Sequence, residues 1–145
     1  MLDWSESISV GVPEIDAQHR TLLARAAALQ AAVAARESSA RVEELFAYLQ
    51  DYAVAHFDSE ERVMREAGYP GLQEHMMEHA EFRRRLASLV PHWESEGEST
   101  ALTVALLGFL DHWLEVHVTT TDQRMGDFLR QRQGAGRRVA SRRAG

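Results

Sequence analysis

The 145-residue chain contains no cysteine and no lysine, and it has only three prolines. The lack of cysteine excludes disulfide scaffolds, thiol catalysis and iron–sulfur clusters. The longest nearly apolar runs, 26–35 and 101–110, are shorter than the roughly 18 to 20 residues that span a bilayer. Residues 1–10 carry two acids and no basic residue, unlike a secretory signal. We therefore expect one cytoplasmic domain without membrane insertion.

Charge is divided unevenly along the chain. All 22 acidic residues precede residue 128, whereas residues 130–145 hold six arginines and no acid. An acidic body is repelled by phosphate backbones, and the basic segment offers no aromatic side chain for base stacking, so we expect no nucleic-acid partner. We interpret residues 1–129 as the folded domain and residues 130–145 as a flexible, arginine-rich tail. The charged outer helix faces favour a monomer.

Apolar residues recur at helical spacing, and no segment alternates as a strand does. Asp16 is a plausible N-cap for the first helix, Gly68 fits the position after the second, and Pro91 is expected to kink or shorten the third. Short connections between long helices favour an all-α, up-down-up-down four-helix bundle with an extended N-terminal arm and a short C-terminal helix or tail to about residue 131. The predicted helices cover 16–37, 40–67, 70–94 and 101–117.

Five of the seven histidines fall on the inner faces of these helices. The other two histidines, His92 and His112, are rotated away from those faces, and we expect them to point outward. Glu60 follows His56 by four residues, so the two side chains share one face. The inward-facing set is His19, His56, Glu60, His75, His79 and His117.

Asp122 follows His117 by five residues, an offset that an α-helix rotates by about 140°. The intervening residues 119–121 are all threonine, and β-branched residues weaken a helix. We therefore expect the backbone to break or turn there and to return the Asp122 carboxylate to the inside.

A metal centre explains this concentration of ionisable residues. Five imidazoles and two carboxylates would each cost several kcal/mol to bury unpaired, and the chain has no lysine to neutralise the carboxylates. Seven ligands exceed the four of a tetrahedral zinc and suit two five- or six-coordinate ions bridged by carboxylates. Imidazole and carboxylate without thiolate favour iron, manganese or zinc over calcium or magnesium.

Five motifs stand out along the chain: Asp16-Ala17-Gln18-His19, His56-Phe57-Asp58-Ser59-Glu60-Glu61, Tyr69-Pro70, His75-x-x-x-His79-x-x-Phe82 and Trp113-Leu114-x-x-His117-x-x-x-x-Asp122. With these motifs the chain resembles, from residue 4 to about residue 128, the hemerythrin family, specifically its single-domain bacteriohemerythrins. The resemblance implies two iron ions, Fe2+ or Fe3+, joined by an oxo or hydroxo bridge. It assigns His75, His79 and His117 to one iron, His19 and His56 to the other, and Glu60 and Asp122 to both.

The resemblance also implies that the iron with two histidines keeps an open position for dioxygen. The dry pocket around it would be lined by Phe57, Trp113, Leu114 and Val118. The implied function is reversible dioxygen binding, without catalysis, for storage, buffering or delivery to an oxygen-consuming enzyme.

Two other functions are compatible with parts of this pattern. The same centre suits oxygen or redox sensing, or the turnover of peroxide or nitric oxide. His75-Met76-Met77-Glu78-His79 also matches the H-x-x-E-H motif of a zinc hydrolase, in which the glutamate acts as the general base. That reading leaves the other five predicted ligands unexplained.

Overall fold

The chain forms an all-α four-helix bundle, as predicted. A computed structural model describes residues 3–36, 38–96 and 99–144, and no strand occurs in these ranges. Neighbouring helices in the sequence pack against each other, and the first also contacts the fourth, so the bundle closes. After a short 3-10 turn at Glu6–Ile8, the elements are α1 (Pro13–Ala34), α2 (Ser38–Ala67), α3 (Leu72–Glu96), α4 (Thr100–Trp113), a π-helical segment (Leu114–Thr121) and α5 (Asp122–Ala144).

The first helix begins three residues earlier than predicted, and Asp16 is not its N-cap. Pro13 occupies the first position of α1, where its missing N–H is not needed. The Asp16 carboxylate instead accepts hydrogen bonds from the Val10 N–H at 2.9 Å and the Ser9 hydroxyl at 2.6 Å. Asp16 therefore holds the N-terminal arm against α1.

The ends of the next two helices follow the predicted signals only in part. Gly68 has a positive φ of 66°, and the Tyr69 N–H donates to the Met64 carbonyl at 2.9 Å, which closes α2 as a Schellman motif. The third helix begins at Leu72 and does not end at Pro91, but continues to Glu96.

The predicted return of the Asp122 carboxylate to the inside is confirmed, but the chain does not break at residues 119–121 to achieve it. The segment is π-helical, and the Asp122 N–H donates to the carbonyl of His117, five residues earlier. A π turn contains more residues than an α turn, so the side chains of His117 and Asp122 return to the same side. The hydroxyls of Thr119 and Thr120 bond to carbonyls four residues back, which supports this wider turn.

Two apolar clusters enclose the middle of the bundle. The larger cluster includes Leu22, Leu49 and Leu106, and the smaller one includes Ile15 and Met125. On α1, His19 falls between Ile15 of the smaller cluster and Leu22 of the larger one. The fifth helix runs past the predicted end near residue 131, and the division of the chain at residue 129 stays a prediction.

Candidate metal centre

Seven ionisable side chains from all parts of the bundle meet between the two apolar clusters. Each of them is at most 1% exposed, whereas His92 and His112 are exposed. The structure thus brings together every predicted ligand position and leaves the two remaining histidines outside. The seven are His19 on α1, His56 and Glu60 on α2, His75 and His79 on α3, His117 on the π-helical segment and Asp122 at the start of α5.

The two oxygens of Glu60 face different histidines. Oε1 lies 2.7 Å from His56 Nε2 and 3.4 Å from His19 Nε2. Oε2 lies 2.8 Å from His75 Nε2 and 3.0 Å from His79 Nε2. One carboxylate therefore stands between two groups of imidazoles.

Asp122 divides the site in the same way. Its Oδ2 lies 3.1 Å from His19 Nε2, while its Oδ1 lies 3.0 Å from the Nε2 atoms of both His75 and His117. We call His19 and His56 the two-histidine cluster. The three-histidine cluster consists of His75, His79 and His117.

The unpaired polar atoms of the site fit a pair of metal ions. Buried polar atoms are normally hydrogen-bonded. In the described part of the chain, all ten buried side-chain nitrogen or oxygen atoms without a hydrogen-bond partner belong to these seven residues. Two groups of donor atoms can be distinguished, and within each group the atoms lie no more than 4.8 Å from one another. One group comes from His19, His56, Glu60 and Asp122, and the other from Glu60, His75, His79 and His117. Nitrogen and oxygen donors in this number suit two ions that share carboxylates.

The two buried carboxylates draw positive charge into the site. Burial lowers the pKa values of His19 and His75, but the adjacent carboxylates of Asp122 and Glu60 outweigh burial and raise both to about 9. Burial likewise raises the pKa of Glu60, but the surrounding imidazoles outweigh it and hold that pKa well below its ordinary value. Metal ions that bind such ligands take the place of these protons.

Comparison with known proteins agrees with this donor set. The model of the hemerythrin HHE cation binding domain matches residues 10–129. The chain belongs to the hemerythrin family. It is 31% identical to a bacteriohemerythrin of Stenotrophomonas maltophilia over 144 residues, covering 94% of this chain and 92% of that protein. It is 30% identical to a bacteriohemerythrin of Pseudomonas aeruginosa, covering 89% and 82%, and 30% identical to a myohemerythrin of Riftia pachyptila, covering 82% and 86%.

Hemerythrin-family proteins hold a pair of non-haem iron ions, and the buried clusters of this chain are compatible with such a centre. The prediction of a di-iron cofactor is therefore confirmed at the level of the family.

Aromatic rings cover the outer sides of the imidazoles. Phe57 stacks on His79 and Trp113 stacks on His117, each with ring centroids 3.9 Å apart. All four residues predicted to line a pocket, Phe57, Trp113, Leu114 and Val118, are buried.

A third ring at the site was not among the predicted pocket residues. Tyr52 stacks on His56 with ring centroids 4.5 Å apart. Burial, followed by the charges of Glu60 and Asp122, holds the pKa of Tyr52 well above its ordinary value. Its position four residues before His56 on the same helix face is a sequence signal that could have found it.

Two residues of the family motifs for which the sequence predicted no role lie beside the outer nitrogens of the histidines. Gln18 Oε1 lies 2.5 Å from His56 Nδ1, and Glu61 Oε1 lies 3.6 Å from His79 Nδ1. Partners of this kind fix the orientation of a histidine ligand. Both residues are adjacent in sequence to a predicted ligand, yet each contacts a histidine on a different helix.

Glu78 has a similar position, which argues against the zinc-hydrolase motif. Its Oε1 lies 3.7 Å from His117 Nδ1 and accepts a hydrogen bond from the Thr121 hydroxyl at 3.0 Å. A general base must reach the substrate at the metal, but Glu78 lies on the outer side of His117. The Nε2 atoms of His75 and His79 point instead at Glu60.

Proposed function

We propose that this protein binds dioxygen reversibly at two iron ions, for storage, buffering or delivery to an oxygen-consuming enzyme. The observation that carries the proposal is the unequal division of five histidines about two shared carboxylates. Glu60 and Asp122 would bridge the ions. The three-histidine cluster would hold one ion, and the two-histidine cluster would hold the other.

The inequality supports binding of an external ligand at one ion. Counting one oxygen from each carboxylate, the three-histidine cluster offers five protein donors and the two-histidine cluster offers four. The ion with fewer protein donors has more room for a ligand. A pair of ferrous ions bound here would supply the two electrons that dioxygen takes up on binding, and these electrons would return to the ions when dioxygen is released.

The surrounding residues would keep the site dry. The stacked rings of Phe57 and Trp113, together with the buried side chains of Leu114 and Val118, cover the imidazoles. Exclusion of water prevents side reactions of bound species and protects a reversible cycle. We therefore propose binding rather than catalysis as the main activity.

We also propose a cytoplasmic monomer. By length and composition, the stretch Thr100–Gly134 is long and apolar enough to cross a membrane. However, 44% of its most apolar 18-residue segment is buried in the bundle. The same stretch carries His117 and Asp122, which are fully buried and face the other helices. It is best interpreted as the core helix of a folded domain.

Metal content and optical spectra test the proposed function together. The metal content of the protein as purified is measured first. The protein is then loaded with ferrous iron without oxygen, iron per chain is determined, and spectra are recorded while oxygen is admitted and removed. Two irons and an absorption band that appears and disappears with oxygen are expected. Two irons that oxidise once and never return would indicate a redox or sensing role instead, and one zinc would overturn the di-iron assignment.

A matched pair of histidine variants completes this test. His56→Ala removes a buried member of the two-histidine cluster, whereas His112→Ala changes an exposed histidine on α4. We expect the first to abolish the oxygen-dependent band and the second to leave it unchanged. Equal loss in both variants would contradict the assignment.

A further inference from the structure

Tyr52 connects the two clusters through a second aromatic side chain. Its ring lies flat against His56, with an interplanar angle of 11°. Its oxygen accepts a hydrogen bond from Trp113 Nε1 at 3.3 Å, and the Trp113 ring lies flat against His117. The hydrogen-bonded pair of Tyr52 and Trp113 therefore joins a histidine of one cluster to a histidine of the other.

The proton of this hydroxyl has no acceptor in the described part of the chain. Tyr52 is 3% exposed, and its hydrogen-bond partner there, the Trp113 indole, is itself a donor. A tyrosine hydroxyl can also donate one hydrogen bond, and leaving a buried donor unpaired costs about 1–3 kcal/mol. Tyr48, one turn earlier on α2, differs because it is only half-buried and its hydroxyl donates to the Gln18 carbonyl at 3.5 Å.

We propose that the Tyr52 hydroxyl donates a hydrogen bond to a small anionic ligand at the two-histidine cluster and so favours ligands that carry negative charge. Tyr52 is thus a specificity-determining residue of the site. The proposal rests on the proposed metal centre. A phenol with an ordinary pKa near 10 keeps its proton at neutral pH, and hydrogen bonds to charged acceptors are stronger than neutral ones.

A cavity lies against the indole of Trp113, the hydrogen-bond partner of this hydroxyl. Its volume is about 180 Å³, and it lies between α3 and α4. Phe82, Phe109 and Val116 line it together with Trp113 and His117. The indole thus contacts the cavity as well as Tyr52.

Azide affinity of the oxidised, iron-loaded protein tests the proposal, with Tyr52→Phe as the variant and Tyr48→Phe as its matched control. Tyr52→Phe keeps the ring that stacks on His56 and removes the unpaired donor, so we expect the variant to fold and to hold two irons. The lost charge-assisted hydrogen bond should weaken azide binding roughly tenfold or more. Tyr48→Phe should leave azide affinity unchanged.

A second measurement does not depend on iron. In zinc-loaded protein, the Trp113 indole N–H resonance reports its hydrogen bond to Tyr52, and it should shift when azide is added to the wild type. In Tyr52→Phe the azide-dependent shift should disappear. The resonance is assigned by comparison with Trp113→Phe.

The outcomes separate this proposal from the proposed function. A Tyr52→Phe variant that holds two irons and binds azide as tightly as the wild type would overturn the role of Tyr52 and leave the metal centre intact. A wild type that takes up no iron would overturn the metal centre itself. A weakening of azide binding in Tyr48→Phe equal to that in Tyr52→Phe would show that the effect is not specific to the hydroxyl.

Discussion

Glu60 is the residue whose change should separate a shared two-metal centre from two independent sites. Because Oε1 faces the two-histidine cluster and Oε2 faces the three-histidine cluster, Glu60→Gln should weaken both ions at once. His56→Ala removes a ligand from one cluster alone. We therefore expect Glu60→Gln to weaken binding of both metals and His56→Ala to weaken binding of only one.

The size of the effect follows from linkage between metal binding and folding. An ion present at a free concentration 100-fold above its Kd stabilises the fold by about 2.7 kcal/mol, so two ions add about 5.4 kcal/mol. With an unfolding entropy of about 2.1 cal/mol/K per residue, this raises the Tm of a 145-residue chain by about 18 °C. Loss of a residue that only contacts a metal ligand weakens metal binding by up to about a hundredfold. A hundredfold loss of affinity for both ions would reduce the rise in Tm to about 3 °C.

Calorimetry with and without ferrous iron, under anaerobic conditions, measures this shift, and iron per chain is determined on the same samples. We expect an iron-dependent rise of about 18 °C in the wild type and in His112→Ala, about 10 °C in His56→Ala and about 3 °C in Glu60→Gln. A Glu60→Gln protein that keeps two irons and the full rise would refute the shared-carboxylate reasoning. So would a His56→Ala protein that loses as much as Glu60→Gln.

Three further changes test the packing around the site. Gly126→Ala should destabilise the fold by about 1–3 kcal/mol, because the added Cβ would lie 2.9 Å from the backbone of the N-terminal arm. Gly108→Ala is the control: its Cβ meets nothing within 4 Å, and it should stabilise the fold by about 0.5–1 kcal/mol. Equal effects of the two variants in chemical denaturation would contradict the close approach at Gly126. Thr121→Val removes the hydrogen bond to Glu78 and should cost about 1 kcal/mol in denaturation while keeping two irons, and loss of iron would show that this contact helps to hold the centre. Truncation after Gly134 should leave iron content unchanged, and a fall in iron would show that the arginine-rich end supports the site.

The helical periodicity of the sequence was sufficient to predict the bundle and most of the site. An α-helix places residues i and i+4 on one face, so His56 with Glu60 and His75 with His79 had to share faces wherever the helices packed. The apolar stripes predicted which helix faces are buried. The advance of about 100° per residue along an α-helix places His92 and His112 away from those faces, and both are exposed. These inferences succeeded because they depend on local geometry alone.

Only the tertiary structure decided the features that depend on contacts between elements. The inward position of Asp122 was predicted from the sequence, but the π turn that produces it was not, because an α-helical period places a five-residue offset on nearly the opposite face. Tyr52 meets Trp113 across 61 positions of the chain. Gln18 contacts a histidine of another helix at 2.5 Å, and Glu61 lies 3.6 Å from one. Spacing within one helix carries no information on such partners, since the relative rotation and height of two helices are set by how their side chains pack.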